Sequence, residues 1–65
     1  MKTKVYATIK DKDSQWSEPF YMDGKVTKEE AEQRIQKIID IFNGYLRPTE
    51  SPRTLVEVTE FIIIP

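Results

Sequence analysis

The sequence predicts an α+β fold, a small ββαβ sandwich in which one amphipathic helix packs on a three-stranded, mainly antiparallel sheet. Three observations predict it: period-two alternation in two segments before residue 23, a capped helical repeat from Thr27 to Leu46, and a β-branched run from Arg53 to Ile64. The 65 residues make a single domain, residues 1–65. A chain this short buries only about 60% of the surface that its unfolded form exposes, so the core is small.

From Lys2 to Lys10, Val5, Ala7 and Ile9 fall on one face and Lys4, Tyr6 and Thr8 on the other, the signature of a strand buried on one side. The polar Asp11-Lys12-Asp13-Ser14-Gln15 segment turns the chain into a second strand, in which Trp16, Phe20 and Met22 share parity. Pro19 places that strand at a sheet edge, because it has no N–H to give to a ladder. Asp23-Gly24 supplies the next turn. Thr27-Lys28-Glu29-Glu30 matches a capping box, with Thr27 accepting from the Glu30 amide and the Glu30 side chain reaching back to the Thr27 amide. Ala31, Ile35, Ile38, Ile39, Phe42 and Leu46 then form the apolar stripe, with Ile41 and Tyr45 on its flank beside Arg34 and Glu30. Gly44 ends the helix, and Pro48 and Pro52 keep it ended.

In the last strand Val56 and Val58 alternate with Leu55, Glu57 and Thr59, whereas Phe61-Ile62-Ile63-Ile64 is apolar on both faces. One helix covers one face of a sheet, so the second apolar face predicts a partner subunit and a homo-oligomer, a dimer or tetramer. Placing the first strand in the middle makes both pairings antiparallel; pairing the last strand with the second, in parallel, is the alternative.

Composition narrows the function classes. Ten basic and eleven acidic residues give a net charge of -1 without a basic tract, which disfavours duplex DNA as a partner. There is no cysteine and no histidine, so the commonest nucleophilic and metal-ligating side chains are missing, and neither a catalytic residue, a metal nor a cofactor is expected. Asp11 and Asp13 lack the glycine and the late glutamate of a calcium loop. Glu57 and Glu60, three apart in a strand, point to opposite faces and make no catalytic pair. No window approaches the ~20 apolar residues of a membrane span, and a cytoplasmic location is expected.

The densest chemistry lies in Asn43-Gly44-Tyr45-Leu46-Arg47-Pro48-Thr49-Glu50-Ser51-Pro52-Arg53, where two prolines stiffen a connection that carries two arginines and a carboxylate. Arg47 and Arg53 have the fork geometry for phosphate oxygens, and Glu50 accepts from the amino edge of a base. Tyr6, Trp16, Tyr21 and Tyr45 offer flat surfaces for stacking. Each ring also has a plainer role: Trp16 in the hairpin core, Tyr21 covering the edge strand, Tyr45 packing at the helix end.

The segment from Phe42 to Val58 resembles a type of very short phage and mobile-element protein that joins a helix ending in Asn-x-x-Leu-Arg-Pro-x-Glu-x-x-Arg to a Leu/Val/Glu strand. The resemblance covers the second half of the chain. It implies a phage-type counter-defence protein of the anti-CBASS kind, a homo-oligomeric sponge that sequesters a cyclic dinucleotide immune signal without cleaving it in the host bacterial cytoplasm. On that reading the ligand-binding residues are Asn43, Arg47, Glu50 and Arg53 from the motif, with Tyr45, Trp16 and Tyr21 stacking. The alternative is a small protein-interaction inhibitor or accessory protein that docks on a host protein through its exposed strand edge or helix flank.

Overall fold

A computed structural model describes all residues from Met1 to Pro65. The elements are β1 (Lys2–Lys10), β2 (Gln15–Asp23), α1 (Lys28–Gly44) and β3 (Thr54–Ile64). The sheet order is β2-β1-β3 with both pairings antiparallel, so the ββαβ arrangement is as the sequence predicts and the parallel alternative is not adopted.

The helix covers one face of the sheet and runs closest to β3. Thr3, Val5, Ala7 and Ile9 of β1 are buried beneath Ala31, Ile35 and Ile39 of α1. The outer strands are covered less: β2 buries Met22 with Trp16 and Phe20 packed against the core, and β3 buries Val58 with Leu55 beside it. Only 10 of 65 residues are buried, which leaves little apolar area to offset chain entropy.

Polar side chains fix the connections. The β1–β2 turn is closed by Asp11, whose Oδ1 accepts from the Asp13 and Ser14 amides at 2.9 and 2.8 Å and from the Ser14 hydroxyl at 3.2 Å. Between β2 and α1, the Thr3 hydroxyl donates to the Gly24 carbonyl at 2.6 Å and accepts from the Val26 amide at 3.1 Å. Thr3 is the one buried polar residue, and its hydroxyl is satisfied as donor and acceptor. Thr27 caps the helix by accepting from the Glu30 amide at 3.2 Å. The Glu30 carboxylate does not return to Thr27 and instead faces Arg34 at 3.8 Å, so half of the capping box forms.

Three expectations change in detail. Ile38, placed on the core stripe from sequence, is 50% exposed and joins Ile41 and Tyr45 on the helix flank; at 100° per residue it borders that flank, and the helix is turned to favour Ile35 and Ile39. Val56 sits at a bulge between the Thr8–Glu57 and Ile9–Leu55 pairs, so Leu55 and not Val56 joins Val58 on the helix side. Gly44 is the last helical residue and has no positive φ; the helix ends through Tyr45 and Leu46 amides donating to the Phe42 and Asn43 carbonyls at 3.1 and 3.4 Å.

The two glycines should therefore respond oppositely to alanine. Gly44→Ala meets open space and an ordinary backbone, and should stabilise by about 0.5–1 kcal/mol. Gly24→Ala also meets open space but at φ +79, and should destabilise by roughly 1 kcal/mol. Urea melts of the two variants check the signs.

Candidate functional site

The loop from Leu46 to Arg53 closes on the hairpin end of the sheet, and much of its polar chemistry is spent there. The Asn43 side chain donates through Nδ2 to the Arg53 carbonyl and accepts through Oδ1 from the Arg53 amide, both at 2.9 Å. This amide clamp joins the helix end to the start of β3. Inside it, the Glu50 amide donates to the Arg47 carbonyl at 2.9 Å, and the Arg47 amide donates to Glu50 Oε1 at 3.1 Å. Pro48 follows Arg47, where its fixed φ suits the turn. Ser51, which sequence reasoning missed, accepts from the Lys12 amide at 2.9 Å and ties the loop to the β1–β2 turn; an isolated serine carries no sequence signal for such a contact.

Arg53 is held over two rings, its guanidinium carbon 3.9 Å from the Phe42 centroid and 5.1 Å from that of Trp16. Trp16 donates its indole N–H to Glu18 Oε2 at 3.1 Å. Trp16 and Arg53 thus meet, as the site reading requires, but they stack on each other. The Asp11 carboxyl is held below the usual carboxylate range, first by the Asp13 and Ser14 amides and in smaller part by the nearby Arg53 charge.

Of the predicted site residues, Arg47 is exposed with its guanidinium unpaired, and Tyr45 is 85% exposed. Asn43, Glu50, Arg53 and Trp16 are engaged within the fold. Tyr21 lies elsewhere, five residues along β2 from Trp16 and on the opposite sheet face. That separation is roughly 17 Å at ~3.4 Å per residue.

A second cluster occupies the face that the helix leaves open. Lys4 stands between Tyr6 and Tyr21, its Nζ 5.1 and 5.6 Å from the two ring centroids. Contact with Tyr6, then the charge of Tyr21, raises the Lys4 ammonium above the usual lysine value. Across the strands Lys4 pairs with Tyr21 on one side and Ile62 on the other, and Lys2 pairs with Ile64. The third surface is the outer edge of β3, where Phe61, Ile62, Ile63 and Ile64 are 38 to 46% exposed.

No α-helix is long and apolar enough to cross a membrane. Compared with protein-family models, with curated proteins and with solved structures, the chain finds no match.

Two outcomes follow for the loop. Asn43→Ala should cost about 1–3 kcal/mol, because it leaves both Arg53 backbone groups without their partner; Asn43→Asp should recover only part, since a carboxylate accepts but does not donate. Asp11 has a lowered folded pKa, so its contribution is present above the unfolded value of 3.8 and is lost as pH falls through the folded value. The melting-temperature gap between wild type and Asp11→Ala should therefore be open at about pH 7 and narrow progressively as the pH is lowered below 3.8, as thermal melts across that range would read.

Proposed function

We propose that this is a non-enzymatic docking protein whose working surface is the outer edge of β3, free molecules pairing with one another along it and a partner protein's strand replacing the second copy on binding. The observation that carries this reading is the contrast between the two sheet edges. β2 is interrupted by Pro19, which opposes Tyr6 in the middle of the strand. β3 contains neither proline nor lysine from Thr54 to Ile64, and its last four residues are apolar on both faces. An edge of that kind takes up a strand, with main-chain bonds giving affinity and alternate side chains giving selectivity.

A second reading rests on Arg47 and Tyr45, two predicted site residues whose side chains have no hydrogen bond or ion pair within the fold. Together they offer a phosphate fork and a stacking ring to a cyclic dinucleotide. On this reading the oligomer is the sponge that the resemblance implies, and Arg47→Ala should weaken such a ligand roughly tenfold to a hundredfold without altering assembly.

Light scattering at micromolar concentration tests the docking reading. The wild type should be at least dimeric. Ile63→Lys, which puts a charge on the free edge, should shift it to monomer, while Ser17→Lys on the opposite edge should leave it unchanged. A wild type that stays monomeric and soluble would overturn the reading. Calorimetric titration of cyclic dinucleotides into wild type and Arg47→Ala decides the second one.

A further inference from the structure

The open face carries a constellation that edge docking does not use. Thr3, Val5, Ala7 and Ile9 point into the core, so Lys2, Lys4, Tyr6, Thr8 and Lys10 of β1 all project from the other side. The β1–β2 register sets Tyr21 directly opposite Lys4 and Pro19 opposite Tyr6, which makes Tyr6 and Tyr21 diagonal neighbours on adjacent strands. Tyr21 is 59% exposed.

The spacing selects a ligand. Diagonal positions of this kind lie roughly 7–8 Å apart, about twice the ~3.4 Å rise per nucleotide of a stacked strand. Two consecutive bases reach the two rings only when splayed apart, as in a single strand and not in a duplex. Charge selects the same class. None of Lys2, Lys4 and Lys10 forms an ion pair, the one such pair in the molecule being Arg34–Glu30. Asp23 opposite Lys2 and Glu57 opposite Thr8 bound the positive stretch, which confines it to the neighbourhood of Lys4 and to a few phosphates.

We propose that this face binds single-stranded nucleic acid, with Tyr6 and Tyr21 each stacking one base and Lys4 meeting the phosphate between them. The Lys4 ammonium leaves the two rings for the phosphate, exchanging weak cation–π contacts for a charge-assisted bond. Ile62, across from Lys4 on β3, gives the stacked bases an apolar border. The face is distinct from the β3 edge and stays uncovered when that edge is paired.

Fluorescence anisotropy with labelled twelve-nucleotide oligo(dT) and oligo(U), and with a hairpin duplex, tests the proposal. At low salt the wild type should bind both single strands with a Kd of about 1–100 µM, and the duplex at least tenfold more weakly. The log–log salt slope should be roughly -1 to -2, as one to three phosphate contacts give. Tyr21→Ala should weaken binding roughly 5- to 100-fold. Lys4→Ala should weaken it and flatten the salt slope, with Lys4→Arg restoring both. Circular dichroism verifies folding, and Tyr21→Leu, which keeps bulk but not the flat ring, serves if the alanine variant unfolds. Arg47→Ala should leave the affinity unchanged. Failure to bind either single strand, equal binding to duplex, an unchanged affinity in both Tyr21 and Lys4 variants, or loss of binding with Arg47→Ala alone would each overturn it.

Discussion

Everything exposed on this molecule follows from one helix serving three strands. The helix has 17 residues, about 25 Å at 1.5 Å per residue, while the molecule extends 42 Å along its longest axis. Its buried side chains, Ala31, Ile35 and Ile39, share one core with Val5, Ala7 and Ile9 on one face of the central strand. The outer strands receive what remains, and the opposite face of the sheet receives nothing. A chain with this topology therefore presents a bare sheet face, a partly covered edge and a helix flank as surfaces. What distinguishes one such chain from another is which residues it places there.

With so few buried side chains, the connections are held by single polar groups. The Thr3 hydroxyl buckles the entry to the helix onto β1, and the Asn43 amide buckles its exit onto β3. Each uses both donor and acceptor capacity, so neither leaves an unpaired group in a part-buried position. Asp11 does the same work for the hairpin in more exposed surroundings, and Ser51 and Arg53 bring the loop against that hairpin. The residues that looked most like ligand grips in sequence are, for the most part, the ones that close the fold.

The strands and the helix start were legible because each rests on a local pattern, alternation or a cap, whereas the central position of β1 is one of two orders that the sequence leaves open, since no local pattern decides a long-range pairing. The exposure of Ile38 was not legible, since helical angles define a stripe but not how far the helix rolls on the sheet. The Asn43 clamp was hidden because an Asn before a Gly at a helix end reads equally well as a solvated cap. The Lys4, Tyr6 and Tyr21 cluster was within reach. Lys4 and Tyr6 already shared a face, Tyr21 had the parity opposite to Trp16, Phe20 and Met22, and extending the hairpin register by counting back from the turn pairs Lys4 with Tyr21. The loop arginines lie at the other end of the sheet from Tyr21.

The bulges of β3 show why a simple alternation misplaces its residues. Counting outward from Ala7 opposite Val58 without interruption, Val5 would face Glu60, and the carboxylate would enter the core beside a side chain that is fully buried. An unpaired buried carboxylate costs several kcal/mol. Instead one residue is inserted between the Tyr6–Thr59 and Lys4–Ile62 pairs, and Glu60 takes φ +56, the one non-glycine residue in the left-handed region. That conformation costs on the order of 1–2 kcal/mol, less than the burial it avoids, so the bulge wins. Its consequence extends to the end of the strand. Beyond Glu60 the parity is reset, so that Ile63 lies opposite Thr3 on the helix side while Ile62 and Ile64 emerge beside Lys4 and Lys2 on the open face. A local escape from burying one charge thus determines which isoleucines border the tyrosine cluster and which line the helix side of the free edge.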